Sequence, residues 1–271
     1  MPSRVYGMTM IKLEPTERKH IATLFRGIDD SMVIAYLQGY MGHGWADRIP
    51  DPATAFIVSG EYSFPAGDYE SAAAKELAEN IFDYIEGDET TVIFDENEPG
   101  WEPLMLSAKK YNPEAVPRFG IEQKDYVFDV DLLQSFIDAL PESYSLKAFD
   151  ENLYDQAMSE DWAKEFCETF DSAADYLDKG FGFGILSEGR LVSGASTMTV
   201  YDGGTETQVA TAPDFRKQGL ALCSAAAFVL ECQKRKIRPC WDAANLASKH
   251  MALKLGYDYR GEYTTIVMSR G

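Results

Sequence analysis

The C-terminal part of the chain alternates strand signals with two helices, and that order restricts the fold more than any other feature. Phe181–Leu186 and Leu191–Tyr201 read as strands joined at the turn Ser187-Glu188-Gly189-Arg190. A second turn, Asp202-Gly203-Gly204, leads into a strand over Thr205–Thr211. Arg216–Lys234 then reads as one long helix, with Leu222, Ala225, Val229 and Cys232 at 3-4-3 spacing. A short strand over Pro239–Ala243, a helix over Asn245–Leu255 stopped by Gly256, and strand-like residues from Tyr257 to Met268 complete it. The order β-β-β-α-β-α-β predicts an α/β (α+β) fold with a mixed central sheet flanked by helices, an arrangement that places ligands at strand ends.

Upstream of this, Tyr144–Phe149 reads as a strand, and Asn152–Glu160, Trp162–Phe170 and Ser172–Lys179 read as helices. The first 120 residues form a separate α/β unit. Helices are expected at Glu17–Leu24, Ser31–Tyr40 (ended by the turn Gly42-His43-Gly44), Tyr69–Ile85 and Trp101–Tyr111, and strands at Ala53–Ser59 and Thr90–Phe94. Asn112–Gly120, with two prolines and a glycine, is the expected linker. A strand at Tyr126–Val130 and a helix at Leu132–Ala139 follow it. The expected domains are therefore 1–120, of unread role, and 121–271. The first could be a degenerate copy of the second fold, a lid or a dimer surface, and a homodimer is among the expected assemblies.

The net charge of −19 argues against nucleic acid as a partner. The charge is uneven: residues 205–271 carry 10 basic and 6 acidic side chains and are the only cationic segment. Such a segment suits an anionic ligand, while the acidic remainder suits a cationic one; solubility is the plainer account of the same charge. No apolar run approaches the roughly 18 residues of a membrane span, and Met1 to Lys12 has no signal-peptide pattern. Four cysteines without a CxxC pair and three scattered histidines predict no metal site and a reduced, cytoplasmic protein.

Two stretches carry chemistry. In Val209-Ala210-Thr211-Ala212-Pro213-Asp214-Phe215-Arg216-Lys217-Gln218-Gly219-Leu220-Ala221 a strand ends, the chain turns, and Arg216 is expected to open a helix. A helix N-terminus offers unpaired N–H groups and partial positive charge to a pyrophosphate. Gly219 and Ala221 permit close approach, and Arg216 and Lys217 add charge. The second stretch runs from Trp241 and Asp242 through Asn245 and Ser248 to Gly256-Tyr257, with Asn245 an N-cap or a ligand contact.

Together, Arg216-Lys217-Gln218-Gly219-Leu220-Ala221 and Asn245, Ser248, Gly256-Tyr257 resemble the acetyl-coenzyme A region of the GCN5-related N-acetyltransferases. The resemblance covers about residues 145–271, and the long N-terminal part is similar to the zwittermicin A resistance branch. It implies an N-acetyltransferase that moves acetyl from acetyl-CoA to a primary amine of a small cationic acceptor by direct attack. The N–H groups of Val209 and Thr211, in the segment Val209-Ala210-Thr211, would hold the pantetheine arm where two parallel strands splay apart. Those of Gln218 to Ala221 would hold the pyrophosphate. Glu206 is the candidate base, with Asp242 a second. The family's tyrosine acid falls at Ala252 here, which leaves Ser248 or His250 to serve the leaving thiolate. That departure keeps open a second reading, a CoA-binding regulatory module without catalysis.

Overall fold

The computed structural model describes residues 10–270, so the N-terminal reading up to Thr9 lies outside the described residues. The chain forms two units: one runs to Arg118 and regains the stretch from Glu262, and the other is Phe119–Gly261. The division is therefore discontinuous in sequence.

The first unit runs β1 (Ile11–Lys12), a 3-10 turn (Pro15–His20), α1 (Ser31–Gln38), β2 (His43–Ala46), β3 (Thr54–Ser59), β4 (Tyr62–Gly67), α2 (Ala72–Asn80), β5 (Glu89–Val92), α3 (Trp101–Ser107) and β6 (Glu114–Ile121). β1 to β4 pair antiparallel, β4 and β5 pair parallel, and β5 pairs antiparallel with residues 266–269. Phe56, Leu77, Ile81, Val92, Trp101 and Met105 are buried between sheet and helices. Four expectations fail here in whole or in part. His43 and Gly44 are strand, not turn, because both pair with β3. The expected linker at 112–120 is mostly β6, which starts just after Pro113 and contains Pro117. The expected helix at Glu17–Leu24 is a 3-10 turn ending at His20, and Tyr69–Ile85 is helical only from Ala72.

The second unit runs α4 (Val130–Asp138), β7 (Tyr144–Ala148), α5 (Glu151–Met158), α6 (Ala173–Lys179), β8 (Gly182–Ser187), β9 (Arg190–Tyr201), β10 (Gly204–Thr211), α7 (Leu220–Arg235), β11 (Arg238–Cys240), β12 (Asp242–Ala243) and α8 (Leu246–Leu255); β13 (Tyr259–Ser269) begins in it. Its sheet has the order β11-β10-β9-β8-β7, antiparallel except for the parallel pair β10/β11. α7 buries Cys223, Ala225, Ala226, Phe228, Val229 and Cys232 in the core of this unit; of the expected apolar positions Ala225, Val229 and Cys232 are buried and Leu222 is half-buried.

Three expectations fail in this unit. Tyr126–Val130 is not a strand: Tyr126 and Phe128 stack at 5.2 Å, both meet the ring of Tyr257, and the Phe128 amide donates to Gln233 Oε1 at 2.8 Å. Aromatic residues with strand propensity are here a packing patch, a case of tertiary context overriding propensity. Of Trp162–Phe170 only Lys164–Phe166 is helical, as a 3-10 turn. The strand expected over Pro239–Ala243 splits at Trp241, with consequences for the site.

The two units repeat one element order. In each, a strand and helical segments precede an antiparallel three-strand run (β2-β3-β4, β8-β9-β10). A helix then leads to a strand parallel to the last of the three (β4-α2-β5, β10-α7-β11), and another helix and strand follow.

Candidate active site

The site is set by what happens after Cys240. β10 and β11 pair in parallel at Gly204↔Arg238, Thr205↔Pro239 and Glu206↔Cys240, and no further. Beyond Cys240 the chain leaves β10: Asp242 and Ala243 pair instead with Gly120 and Phe119 of β6. β10 continues to Thr211 alongside β9 only, so its last five residues have one edge open.

The ladder alternation identifies which amides face that edge. The Ala212 amide donates to Val192 O at 2.9 Å, so the pairs 212/192, 210/194 and 208/196 exchange hydrogen bonds with β9. The backbone groups of Thr207, Val209 and Thr211 point the other way, into the splay. The N–H groups of Val209 and Thr211 therefore face the open edge, whereas that of Ala210 pairs with β9. Thr207 is buried, and its Oγ1 has no protein hydrogen-bond partner.

The start of α7 differs from its sequence expectation. Arg216 does not open the helix. It is extended (φ −67°, ψ 158°), and its Nε donates to Thr211 O at 3.2 Å. Lys217 (φ 63°) and Gly219 (φ 81°) are both left-handed, and the helix begins at Leu220 with Gly219 as N-cap. A left-handed lysine costs about 1 kcal/mol or more. Its presence beside Gly219 makes a tight loop that gathers amides at the helix start, the geometry of an anion-binding concavity. No side chain caps α7, and a Cβ at Gly219 would meet nothing within 4 Å. Arg216, Lys217, Gln218 and Gly219 are exposed, Ala221 is half-buried and Leu220 is anchored in the core. Tyr144 of β7, which the sequence reading did not single out, donates its hydroxyl to Gln218 Oε1 at 2.7 Å and steadies this loop. No local signal links residues 74 positions apart.

Across the splay, Asn245 caps α8: its Oδ1 accepts from the Ser248 amide at 3.0 Å. Ser248 Oγ accepts from the Trp241 indole at 3.0 Å, which leaves the hydroxyl proton available to donate. Ala252 is fully buried, two turns along α8, and its carbonyl accepts from the Tyr257 amide. His250 is exposed on the same helix. Glu206 is buried at the last parallel pair, opposite Cys240, and acts electrostatically on Tyr201 and Tyr257. Burial pushes both phenols upward, so they stay protonated; the Tyr257 hydroxyl donates to Pro239 O at 3.0 Å, and Tyr201 Oη lies 3.1 Å from Cys240 Sγ. Asp242 is half-buried in β12, beyond the point where the chain leaves β10. Among the described residues no group of His, Cys, Asp or Glu could hold a metal ion.

A parallel strand pair that splays at its centre, with an uncapped, glycine-started helix after the first strand, defines an acyltransferase of the GCN5-related class. A family model described as GNAT acetyltransferase matches residues 22–266, and the chain belongs to that family. It is 24% identical over 265 residues to the uncharacterized N-acetyltransferase YdfB of Bacillus subtilis (strain 168), covering 94% of this chain and 98% of the relative. The crystal structure of a GCN5-related N-acetyltransferase-like protein from Streptococcus suis 89/1591 superposes with a TM-score of 0.83 at 29% identity, over 93% of this chain and 98% of that one. A tandem GNAT protein from the clavulanic acid biosynthesis pathway shares the fold, with a TM-score of 0.55 at 11% identity over 97% of this chain and 98% of that one. The protein is thus an acetyltransferase, and no helix among the described residues is long and apolar enough to cross a membrane.

Proposed function

We propose that the protein transfers acetyl from acetyl-CoA to a primary amine of a small cationic acceptor by direct attack. The observation that carries this reading is the open edge of β10, where the amides of Val209 and Thr211 run toward the uncapped start of α7. A pantetheine arm has amide groups that pair with a strand edge as another strand would, and a pyrophosphate suits the amides of Gln218 to Ala221 with Arg216 and Lys217 beside them. The buried, unpartnered Thr207 hydroxyl adds a polar group at the splay that protein atoms leave unsatisfied.

Acetyl-CoA supplies the activated thioester carbonyl. The chain's own residues do the rest. Glu206 takes the proton from the acceptor ammonium, because a protonated amine has no lone pair to attack with. Its position at the last parallel pair, where β10 and β11 part, and its burial near Tyr201 and Tyr257 put the carboxylate at the splay where an acceptor would meet the thioester. The Ser248 hydroxyl donates a hydrogen bond to the departing sulfur, which takes up the proton released by the newly acylated nitrogen, and the positive end of α8 favours the thiolate. With Ala252 in place of the tyrosine, Ser248 in the first turn of α8 is the hydroxyl on that helix for this role. The acidic character of residues 1–204 favours a cationic acceptor.

The test is calorimetric titration with acetyl-CoA, followed by thiol release with a panel of amines. Binding and turnover with any amine support the reading. Binding without turnover across polyamines, amino sugars and amino acid derivatives favours the non-catalytic module, which the buried Ala252 motivates. Absence of binding overturns both.

A further inference from the structure

The first unit repeats the strand–helix–strand core of the second, so it has a splay of its own. In β4/β5 the amides of Thr91 and Ile93 donate to Glu61 O and Ser63 O at 2.9 and 2.8 Å. In β10/β11 the Arg238 amide donates to Gly203 O at 2.8 Å. Matching these bonds places Glu61 at the position of Gly203 and Ser63 at that of Thr205. Pro65 then falls at the position of Thr207 and Gly67 at that of Val209.

We infer that the chain contains two copies of one transferase core, and that the first copy's donor groove is closed by its own residues, so each chain takes one coenzyme A thioester, in the second copy. The inference rests on the acetyl-CoA reading of the second unit. Three observations carry it. The splay-facing position in β4 that comes first is proline, which has no N–H to offer a pantetheine carbonyl. The next, Gly67, has its N–H already bonded to Glu98 Oε2 at 3.3 Å, and the same oxygen accepts from the Trp101 indole at 3.1 Å. Glu98 is therefore an internal occupant of the edge that the second copy leaves open at Val209. β4 also ends at Gly67, so this copy has no counterpart of Thr211.

The anion site is closed as well. Only Asp68 to Ser71 separate β4 from α2, against Ala212 to Gly219 before α7. Ser71 caps α2 by accepting from the Ala74 amide at 3.0 Å, and Asp68 Oδ1 accepts from the Glu70 amide at 2.9 Å. The loop brings two carboxylates, Asp68 and Glu70, to a place where the second copy has Arg216 and Lys217. A pyrophosphate would meet satisfied amides and like charge there.

The experiment is the binding stoichiometry of acetyl-CoA by calorimetry on the full chain, for the wild type, Gly219→Trp and Val209→Pro. One equivalent per wild-type chain, with Gly219→Trp losing it and Val209→Pro weakening that single site, supports the inference. Two equivalents, or one that survives unchanged in both folded variants, overturns it while leaving a donor site in the protein. No binding by the folded wild type removes the acetyl-CoA reading itself, and the inference with it.

Discussion

Proline at position 209 separates the open edge of β10, proposed to take the donor, from the edge that pairs with β9. The Val209 amide points into the splay and takes no part in the β9 ladder, whereas the Ala210 amide bonds to Gly194 O by the alternation fixed at Ala212 and Val192. Val209→Pro removes one donor to the pantetheine arm and no ladder bond; the lost side chain is half-buried and of similar volume. A ligand carbonyl left without its partner costs about 1–2 kcal/mol, a weakening of about 5- to 30-fold in Kd. Ala210→Pro breaks a ladder bond and sets a ring against β9, which lowers stability. The first unit supplies a precedent, since Pro65 occupies a splay-facing position in β4 without interrupting its pairing with β3. Calorimetry with acetyl-CoA and thermal unfolding read the two effects apart. The expected pattern is weakened binding with near-native stability for Val209→Pro, and lost stability for Ala210→Pro. Unchanged affinity in a folded Val209→Pro would show that the donor arm does not lie along this edge, and the reasoning from strand alternation would fall.

Glu206→Gln is expected to lower kcat about 10²- to 10⁴-fold with little change in acetyl-CoA affinity, measured by thiol release and calorimetry; an unaltered rate would remove Glu206 as the base. Asn245→Ala loses the α8 cap and is expected to cost about 1 kcal/mol, whereas Asn245→Asp keeps the acceptor for the Ser248 amide and should hold the melting temperature. The four cysteines are buried and form no disulfide, and burial pushes Cys167 up to about 12 and Cys223 to about 11. These thiols should resist an aromatic disulfide reagent at pH 8 until the chain unfolds. Because the folded values lie above the unfolded one, their stabilising contribution is complete below about pH 8.5 and declines as pH rises from there toward 12. Denaturant midpoints that rise across that range would contradict the assignment. Tyr144→Phe deletes the bond to Gln218 and should raise Kd for acetyl-CoA by about fivefold, the worth of about 1 kcal/mol in one hydrogen bond.

Much of the second unit was legible because its signals are local. Asn245 three residues before Ser248, Gly256 after Leu255, and the apolar spacing of Arg216–Lys234 each act within a turn or two of helix, and the structure has the matching caps and buried face. The run from Val209 to Ala221 places a strand, a turn and a helix start in order, and the structure has β10, a turn and α7 in that order. What it could not set was the left-handed loop at Lys217 and Gly219, because Gln218 between them is held by Tyr144, 74 positions away in sequence.

The rest depended on tertiary structure because it concerns pairing between distant segments. Tyr126–Val130 has the composition of a strand, yet its rings find Tyr257 and its backbone finds Gln233, 105 residues away from Phe128. Asn112–Gly120 reads as a linker by its prolines, yet most of it is strand, and its last residues receive β12. The split of β11 from β12, which opens the site, is decided by that same partner. Glu98 and Gly67 are 31 positions apart, and nothing in either neighbourhood marks the carboxylate as a substitute for a ligand. Helix caps and amphipathic faces are written into neighbouring residues and survive in any context. The choice of strand partner, and of what fills an open strand edge, is a competition among all segments of the chain and exists only once they have been brought together.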